Sequence, residues 1–258
     1  MVAATSEAGT GLLDAACTAL ERVRAQRPRV HCLTNPVAMN LSANLLLAAG
    51  AVPSMTPDPA AQADFVRTSR ALLVNLGMLD AQRIEAARAA VDAATQLGRP
   101  WLLDPVKVER SGPRLDIARE LIAARPALVR CNRDEAGALA GEGEEAWSAF
   151  ARDRRVVLAV TGAVDLVTDG RRTARIANGS PLMDRVTAMG CAASALAGAF
   201  LAVEPDAFVA TVAVLLTVGV AGEVAAEAAR GPGSFVPAFL DAVYALDAVT
   251  LAARARLS

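Results

Sequence analysis

The stretch Ala71–Asp104, ALLVNLGMLDAQRIEAARAAVDAATQLGRPWLLD, decides the fold. Ala71–Leu76 is an unbroken apolar run of strand length. Asp80 then caps a helix over Ala81–Leu97, and Gly98 stops it. Trp101–Asp104 is a second buried strand whose last residue is acidic. Strand, helix and strand in close succession form the repeating unit of a mainly parallel sheet covered by helices on both faces. The same alternation extends toward the N-terminus. Gly11–Gln26 reads as an amphipathic helix, Arg29–Leu33 as a strand and Val37–Ala49 as a helix ended by Gly50. Ala51–Met55 is extended, and Pro53 within it predicts a short or edge strand. Ala60–Arg70 reads as a short helix. Toward the C-terminus come a helix over Asp116–Ala124, a strand over Ala127–Arg130, a short helix over Arg133–Ala140, a solvated helix over Glu144–Arg154 and an apolar strand over Val156–Thr161. Val164–Thr168 and Thr173–Ala177 flank Asp169-Gly170, a hairpin-turn signal that adds an antiparallel piece. The remainder reads as three helices, Cys191–Val203, Asp206–Arg230 and Val236–Ala253. No linker or repeat interrupts the pattern, so residues 1–258 are read as one α/β domain.

Composition narrows the function classes. The 258 residues carry 26 Lys plus Arg against 27 Asp plus Glu, a net charge of −1, with no basic block. Nucleic acid is therefore not an expected partner. A single His excludes any site built on several His ligands. Cys17, Cys32, Cys131 and Cys191 form no C-x-x-C pair, so neither a zinc knuckle nor a disulfide scaffold is expected. Glu7 and Asp14 stand where a secretory leader would be basic and then apolar, and a cytoplasmic location is expected. Val186–Val203 and Ala207–Gly222 lack charge, but both are short for a span and rich in small residues. They read as buried core helices, with no membrane partner.

In open parallel sheets ligands bind beyond the carboxyl ends of the strands. The residues there are Thr34-Asn35, Asn75, Asp104, Asn132 with Glu135, and Thr161-Gly162, a polar set. Downstream, Ala188-Met189-Gly190-Cys191 is a small-residue loop running directly into an apolar helix. Such a junction aims free backbone N–H groups at one point, where the helix dipole favours an anion. Cys191, at that helix start, is expected to have its thiolate favoured. The alternative is a tight turn with a buried structural Cys. Asp104 and Glu135, at two strand ends, can together hold Mg²⁺. Read singly, Asp104 is a helix or turn cap and Glu135 a first-turn residue favoured by the dipole. With the anion loop, the pair suggests phosphoryl transfer. Thr161 offers a hydroxyl and Gly162 a close backbone approach. His31, next to Cys32 on one strand, points to the opposite face from it and reads as structural. Gly141-x-Gly143-x-x-Ala146 imitates a dinucleotide loop, but it follows a helix and carries three Glu. Asn178-Gly179-Ser180 is an idle glycosylation sequence. Gly231-Pro232-Gly233-Ser234 is a turn, with Ser234 capping the last helix.

These residues, with HCLTNPVAMNLSAN (His31–Asn44), AVPSM (Ala51–Met55), LDPV (Leu103–Val106), RCNRDE (Arg130–Glu135), TGAVDLVTD (Thr161–Asp169) and GPGSF (Gly231–Phe235), resemble the hydroxyethylthiazole kinases of the ribokinase-like superfamily. The order and spacing of the segments carry the resemblance from about Val30 to Asp247. It implies a three-layer α/β/α fold, a homotrimer with sites at subunit interfaces, and ATP- and Mg²⁺-dependent phosphorylation of 4-methyl-5-(2-hydroxyethyl)thiazole in thiamine salvage. It also implies that Cys191 is catalytic, that Asp104 and Glu135 are the Mg²⁺-associated acids, and that Arg130, Asn132, Thr161 and Gly162 contact nucleotide. Asn35, Met55 and Ala188 would contact substrate, and Ala188 through Cys191 would form the anion hole. This chain has Ala188, Lys107 and Cys131 where such proteins usually have Gly, and Ser180 where they usually have His. Ala188 can offer its N–H only if its φ is negative. Kinases of other vitamin-precursor alcohols (hydroxymethylpyrimidine or pyridoxal type), a non-catalytic nucleotide- or thiazole-binding relative and a cofactor-repair dehydratase are the competing readings.

Overall fold

The computed structural model describes residues 7–258. The expectation about a leader also rests on residues 1–6, which lie outside the described residues. Eight strands form one sheet: β1 (Arg29–Leu33), β2 (Val52–Ser54), β3 (Ala71–Asn75), β4 (Trp101–Asp104), β5 (Leu128–Asn132), β6 (Val157–Thr161), β7 (Asp165–Thr168) and β8 (Thr173–Ile176). Their spatial order is β2-β1-β3-β4-β5-β6-β7-β8. β1 through β6 run parallel, and β7 and β8 add the expected antiparallel hairpin at one edge. β2, which carries Pro53, is the other edge, where a missing N–H costs no ladder bond.

Alternate strand residues feed two cores. Leu73, Leu102, Leu128 and Ala159 face α1 (Glu7–Gln26), α2 (Met39–Ala48), α8 (Met189–Leu201), α9 (Ala207–Ala228), α10 (Pro232–Ala245) and α11 (Ala248–Arg254). Leu72, Val74, Leu103 and Val129 face α3 (Gln62–Arg67), α4 (Ala81–Gln96), α5 (Gly112–Ala123), α6 (Arg133–Ala140) and α7 (Glu144–Arg154). Burial on both faces is why these strands read as continuous apolar runs. α9 is long and apolar enough to cross a membrane, yet 78% of its apolar window is buried against the rest of the fold. α8 lies so close to the sheet that a Cβ at Gly198 would stand 2.7 Å from Val30 Cγ1. That approach explains the small-residue composition of this helix.

Several sequence expectations need correction. The last expected helix, Val236–Ala253, is two helices, α10 and α11, bent by 114°. The break falls at Leu246-Asp247, because the Asp247 side chain accepts the Thr250 N–H and starts a new helix. Ser234 does not cap α10. Pro232 begins that helix with Gly231 at the cap position, and Ser234 lies in its first turn, its Oγ accepting the Arg230 N–H. α5 starts at Gly112 rather than Asp116, since Pro113 is tolerated in a first turn. The Ala60–Arg70 segment divides into a 3₁₀ turn, Pro59–Ala61, and α3. β5 continues past Arg130 to Asn132. α7 is not wholly solvated, because Trp147 is buried and its Nε1 donates to the Gly141 carbonyl. Gly141 and Gly143, at φ +88° and +92°, join α6 to α7, so the Gly-x-Gly pattern is a helix–helix joint.

Candidate active site

Residues at the carboxyl ends of β5 and β6 meet the N-terminus of α8 around a cleft of about 750 Å³, while Asn35, Asn75, Asp104 and Glu135 lie outside its lining. Arg130, Asn132, Thr161, Gly162 and the whole Ala188–Cys191 loop line it. The first amides of α8 lack intrahelical acceptors by helix geometry, so the cleft has fixed donors at one end. The Arg130 guanidinium braces that end: its Nη1 donates to the Gly190 carbonyl at 3.0 Å and to Ser194 Oγ at 3.3 Å. Its Nε is buried without a hydrogen-bond partner. A buried cationic donor left unsatisfied beside a helix N-terminus suits an incoming oxyanion.

The two acids behave differently. Asp104 is buried at the end of β4, and Asn75 Nδ2 donates to its Oδ2 at 2.8 Å. Burial raises its pKa above the usual carboxylate range, against the pull of Arg130. Glu135 is a capping residue. Its Oε2 accepts the Asn132 N–H at 2.9 Å, and Asn132 Oδ1 accepts the Glu135 N–H in return. Its Oε1 accepts the Lys107 N–H at 2.8 Å. Among the described residues no group of three or more His, Cys, Asp and Glu stands together as a metal cage. Mg²⁺ needs less than that, since it binds through one or two carboxylates plus phosphate oxygens and waters. Asp104 and Glu135 are hard oxygen donors beside the cleft and fit the ion. Asp104 has the freer carboxylate of the two.

Cys191 corrects an expectation. Burial, then the charge of Asp104, pushes its pKa up to about 11, so the thiol and not the thiolate is the resting form. The helix start does not outweigh desolvation here. Asn35 Nδ2 lies 3.8 Å from the sulfur. Ala188 does not meet its condition: its φ is +63°, and it caps α8 in the left-handed region. Lys107 has φ +59°. Two of the three positions where glycine was the usual residue are thus left-handed turns, occupied here by side chains at a conformational cost, while Cys131 lies in β5 with no positive φ. We expect Ala188→Gly and Lys107→Gly each to stabilise the fold by about 0.5–1 kcal/mol after the glycine entropy cost. Thermal melts should then rise by about 2 °C per substitution, and an unchanged melting temperature would refute the strain.

The remaining candidates sort clearly. Thr161 Oγ1 donates to the Cys131 carbonyl at 3.3 Å, fixing its hydroxyl at the cleft wall. Met55 lies outside the cleft lining and packs, half-buried, on the core beneath α2 and β2. His31 is structural: Gln62 Nε2 donates to the Thr56 and Asp58 carbonyls, so Gln62 Oε1 must accept from His31 Nε2 at 3.1 Å. Its Nδ1 then accepts from Ser54 Oγ. Asn178 is buried, with its amide donating to Glu223 and to the Arg254 carbonyl, and it lines the cleft. Sequence reading missed Asp165, a cleft residue whose Oδ1 accepts the Gly162 N–H at 2.9 Å. The signal was available, since an Asp three residues after a strand-end Gly can close such a turn.

The chain matches the hydroxyethylthiazole kinase family over residues 20–249. A hydroxyethylthiazole kinase of Rhizobium johnstonii is 48% identical over 93% of this chain and 96% of its own. The structure of a hydroxyethylthiazole kinase from Pyrococcus horikoshii OT3 superimposes with a TM-score of 0.91 at 37% identity, covering 94% of this chain and 98% of that one. A ribokinase-like superfamily protein of Enterococcus faecalis V583 shares the fold at a TM-score of 0.65 and 12% identity, over 85% and 88% of the two chains. The order of strand-end residues, the Arg130-braced start of α8 and these likenesses agree, and the chain belongs to the hydroxyethylthiazole kinase family.

Proposed function

We propose that this protein transfers the γ-phosphoryl group of ATP to the primary alcohol of 4-methyl-5-(2-hydroxyethyl)thiazole, in the cytoplasm and in the service of thiamine salvage. The observation that carries this reading is the meeting of Cys191 and the α8 amides at one end of the cleft, braced by Arg130, with Asp104 joined to Cys191 through Asn75 and Asn35. Phosphoryl transfer passes through a loose transition state, so positioning and charge neutralisation dominate. The amides of Met189, Gly190 and Cys191 hold the transferring group, while Arg130 keeps the loop in place. Arg130, Asn132, Thr161 and Gly162 line the path of the nucleotide phosphates. Asp104 and Glu135 would hold Mg²⁺, which when bound neutralises phosphate charge. Asn35 and Ala188, beside Cys191, are the substrate-side residues in this cleft, and Met55, outside its lining, would reach substrate only across a subunit interface. Cys191 accepts the alcohol proton through its minor thiolate form, a strong base at a pKa of about 11. Val37 and Met39, exposed beside Asn35, suit the subunit contact of a homotrimer.

Purified protein with ATP, Mg²⁺ and hydroxyethylthiazole should release ADP and yield the thiazole phosphate, identified by mass. Hydroxymethylpyrimidine and pyridoxal, offered in parallel, should be poor acceptors. ATP binding without thiazole phosphate would overturn the assignment. Light scattering should give three times the 26.6 kDa chain mass.

A further inference from the structure

Four side chains at the carboxyl ends of β1, β3 and β4 and at the start of α8 form a continuous hydrogen-bonded chain. Asn35 Nδ2 is 3.8 Å from Cys191 Sγ and donates to Asn75 Oδ1 at 2.9 Å. Asn75 Nδ2 donates to Asp104 Oδ2 at 2.8 Å. Each amide has only one way round. Asn35 Oδ1 accepts the Ala38 N–H at 3.1 Å, and Asn75 Oδ1 also accepts the Gly77 N–H at 3.0 Å. Asn75 pairs in register with Asp104 across β3 and β4, so the sheet itself sets their spacing. Gly77 closes the network from outside. A Cβ there would stand 2.6 Å from Asn35 Nδ2 and 2.9 Å from Asn75 Oδ1.

We propose that Asn75 is a positioning residue for phosphoryl transfer, holding the Asn35 amide so that an N–H, and not a carbonyl, faces the Cys191 sulfur. An N–H aimed at sulfur favours the thiolate, the form that accepts the alcohol proton. Asp104, at the far end, accepts from Asn75 and so fixes which way round the Asn75 amide lies. The charged groups acting on the sulfur are Asp104, which opposes the thiolate, and Arg130, which favours it; the two asparagine amides add to Arg130. The inference rests on Cys191 being the base of the proposed reaction.

A double-mutant cycle tests it. With ATP, Mg²⁺ and hydroxyethylthiazole, Asn75→Ala should lower kcat about 10–100-fold with little change in the KM for ATP. The rise of kcat with pH should move to higher pH. In a Cys191→Asp background, where the base is already ionised, the same change should cost less than about threefold. Equal losses in both backgrounds would mean a merely structural role and overturn the proposal. Asn75→Ser serves the same cycle if the alanine variant does not fold. A second readout does not depend on turnover. Alkylation of Cys191 by iodoacetamide at about pH 8.5, followed by peptide mass, tracks its thiolate fraction. It should slow about three- to tenfold in the Asn75 variant, and an unchanged rate overturns the proposal. Absence of thiazole phosphate with the unaltered enzyme would instead defeat the proposed function, and the alkylation result would still decide the role of Asn75.

Discussion

Cys191→Ala is expected to lower kcat by about 10²–10⁴-fold while ATP still binds, because it removes the group proposed to take the alcohol proton. The pH dependence carries the sharper test. With its pKa raised to about 11, Cys191 is protonated at neutral pH, and its thiolate fraction grows about tenfold per pH unit below that value. The kcat of the unaltered enzyme should therefore rise through the mildly alkaline range. Cys191→Asp puts a carboxylate at the same place, ionised at neutral pH, and should retain turnover with a flatter profile. Full activity in Cys191→Ala, or a flat profile in the unaltered enzyme between about pH 7 and 9, would remove Cys191 from the role of base. A folded Cys191→Asp protein without turnover would show that the sulfur position does not reach the alcohol.

Asp104→Asn is expected to separate activity from stability. Loss of the carboxylate that would hold Mg²⁺ should lower kcat by about 10²–10³-fold, the scale of a few kcal/mol of transition-state charge stabilisation. Stability should move the other way. The folded-state pKa of Asp104 is raised, mainly by burial. Its favourable contribution is therefore complete below the ordinary carboxylate range and is lost as pH rises through the folded pKa. At neutral pH, without nucleotide and with EDTA, Asp104→Asn should melt at a higher temperature than the unaltered protein. The amide oxygen can still accept from Asn75. The difference should close as the pH falls into the acid range. A lower melting temperature at neutral pH would show that the charge is paid for by Arg130, and full turnover would show that Asp104 does not serve the phosphoryl transfer.

The polar set at the strand ends was legible before any coordinates existed. Strands buried on both faces read as apolar runs, so the first polar residue after each run marks a carboxyl end. Asp104, Asn132 and Thr161 are the last residues of β4, β5 and β6, and Asn75 is the last of β3. Pro53 marked an edge, and Asp169-Gly170 marked a hairpin, since both act through their own backbone geometry. Asp165 was missed although its spacing from Gly162 was a signal, because a turn-closing Asp gives no hint in the sequence that its turn lies at the site.

The sequence by itself determined the alternation of elements, the parallel sheet and the set of polar groups at its carboxyl ends, because periodicity and chain punctuation are local properties. Only the tertiary structure decided three further things. It broke Val236–Ala253 into α10 and α11, where Asp247 caps a new helix instead of continuing the old one. It placed Ala188 and Lys107 in left-handed turns, whose φ is set by where α8 and the Lys107 amide must meet the site and not by the residues themselves. It also reversed the expected charge state of Cys191. A helix start favours a thiolate, but desolvation and the charge of Asp104 prevail over Arg130 and the Asn35 and Asn75 amides. Burial and neighbouring charge come from distant parts of the chain, brought together by the strand order β1-β3-β4.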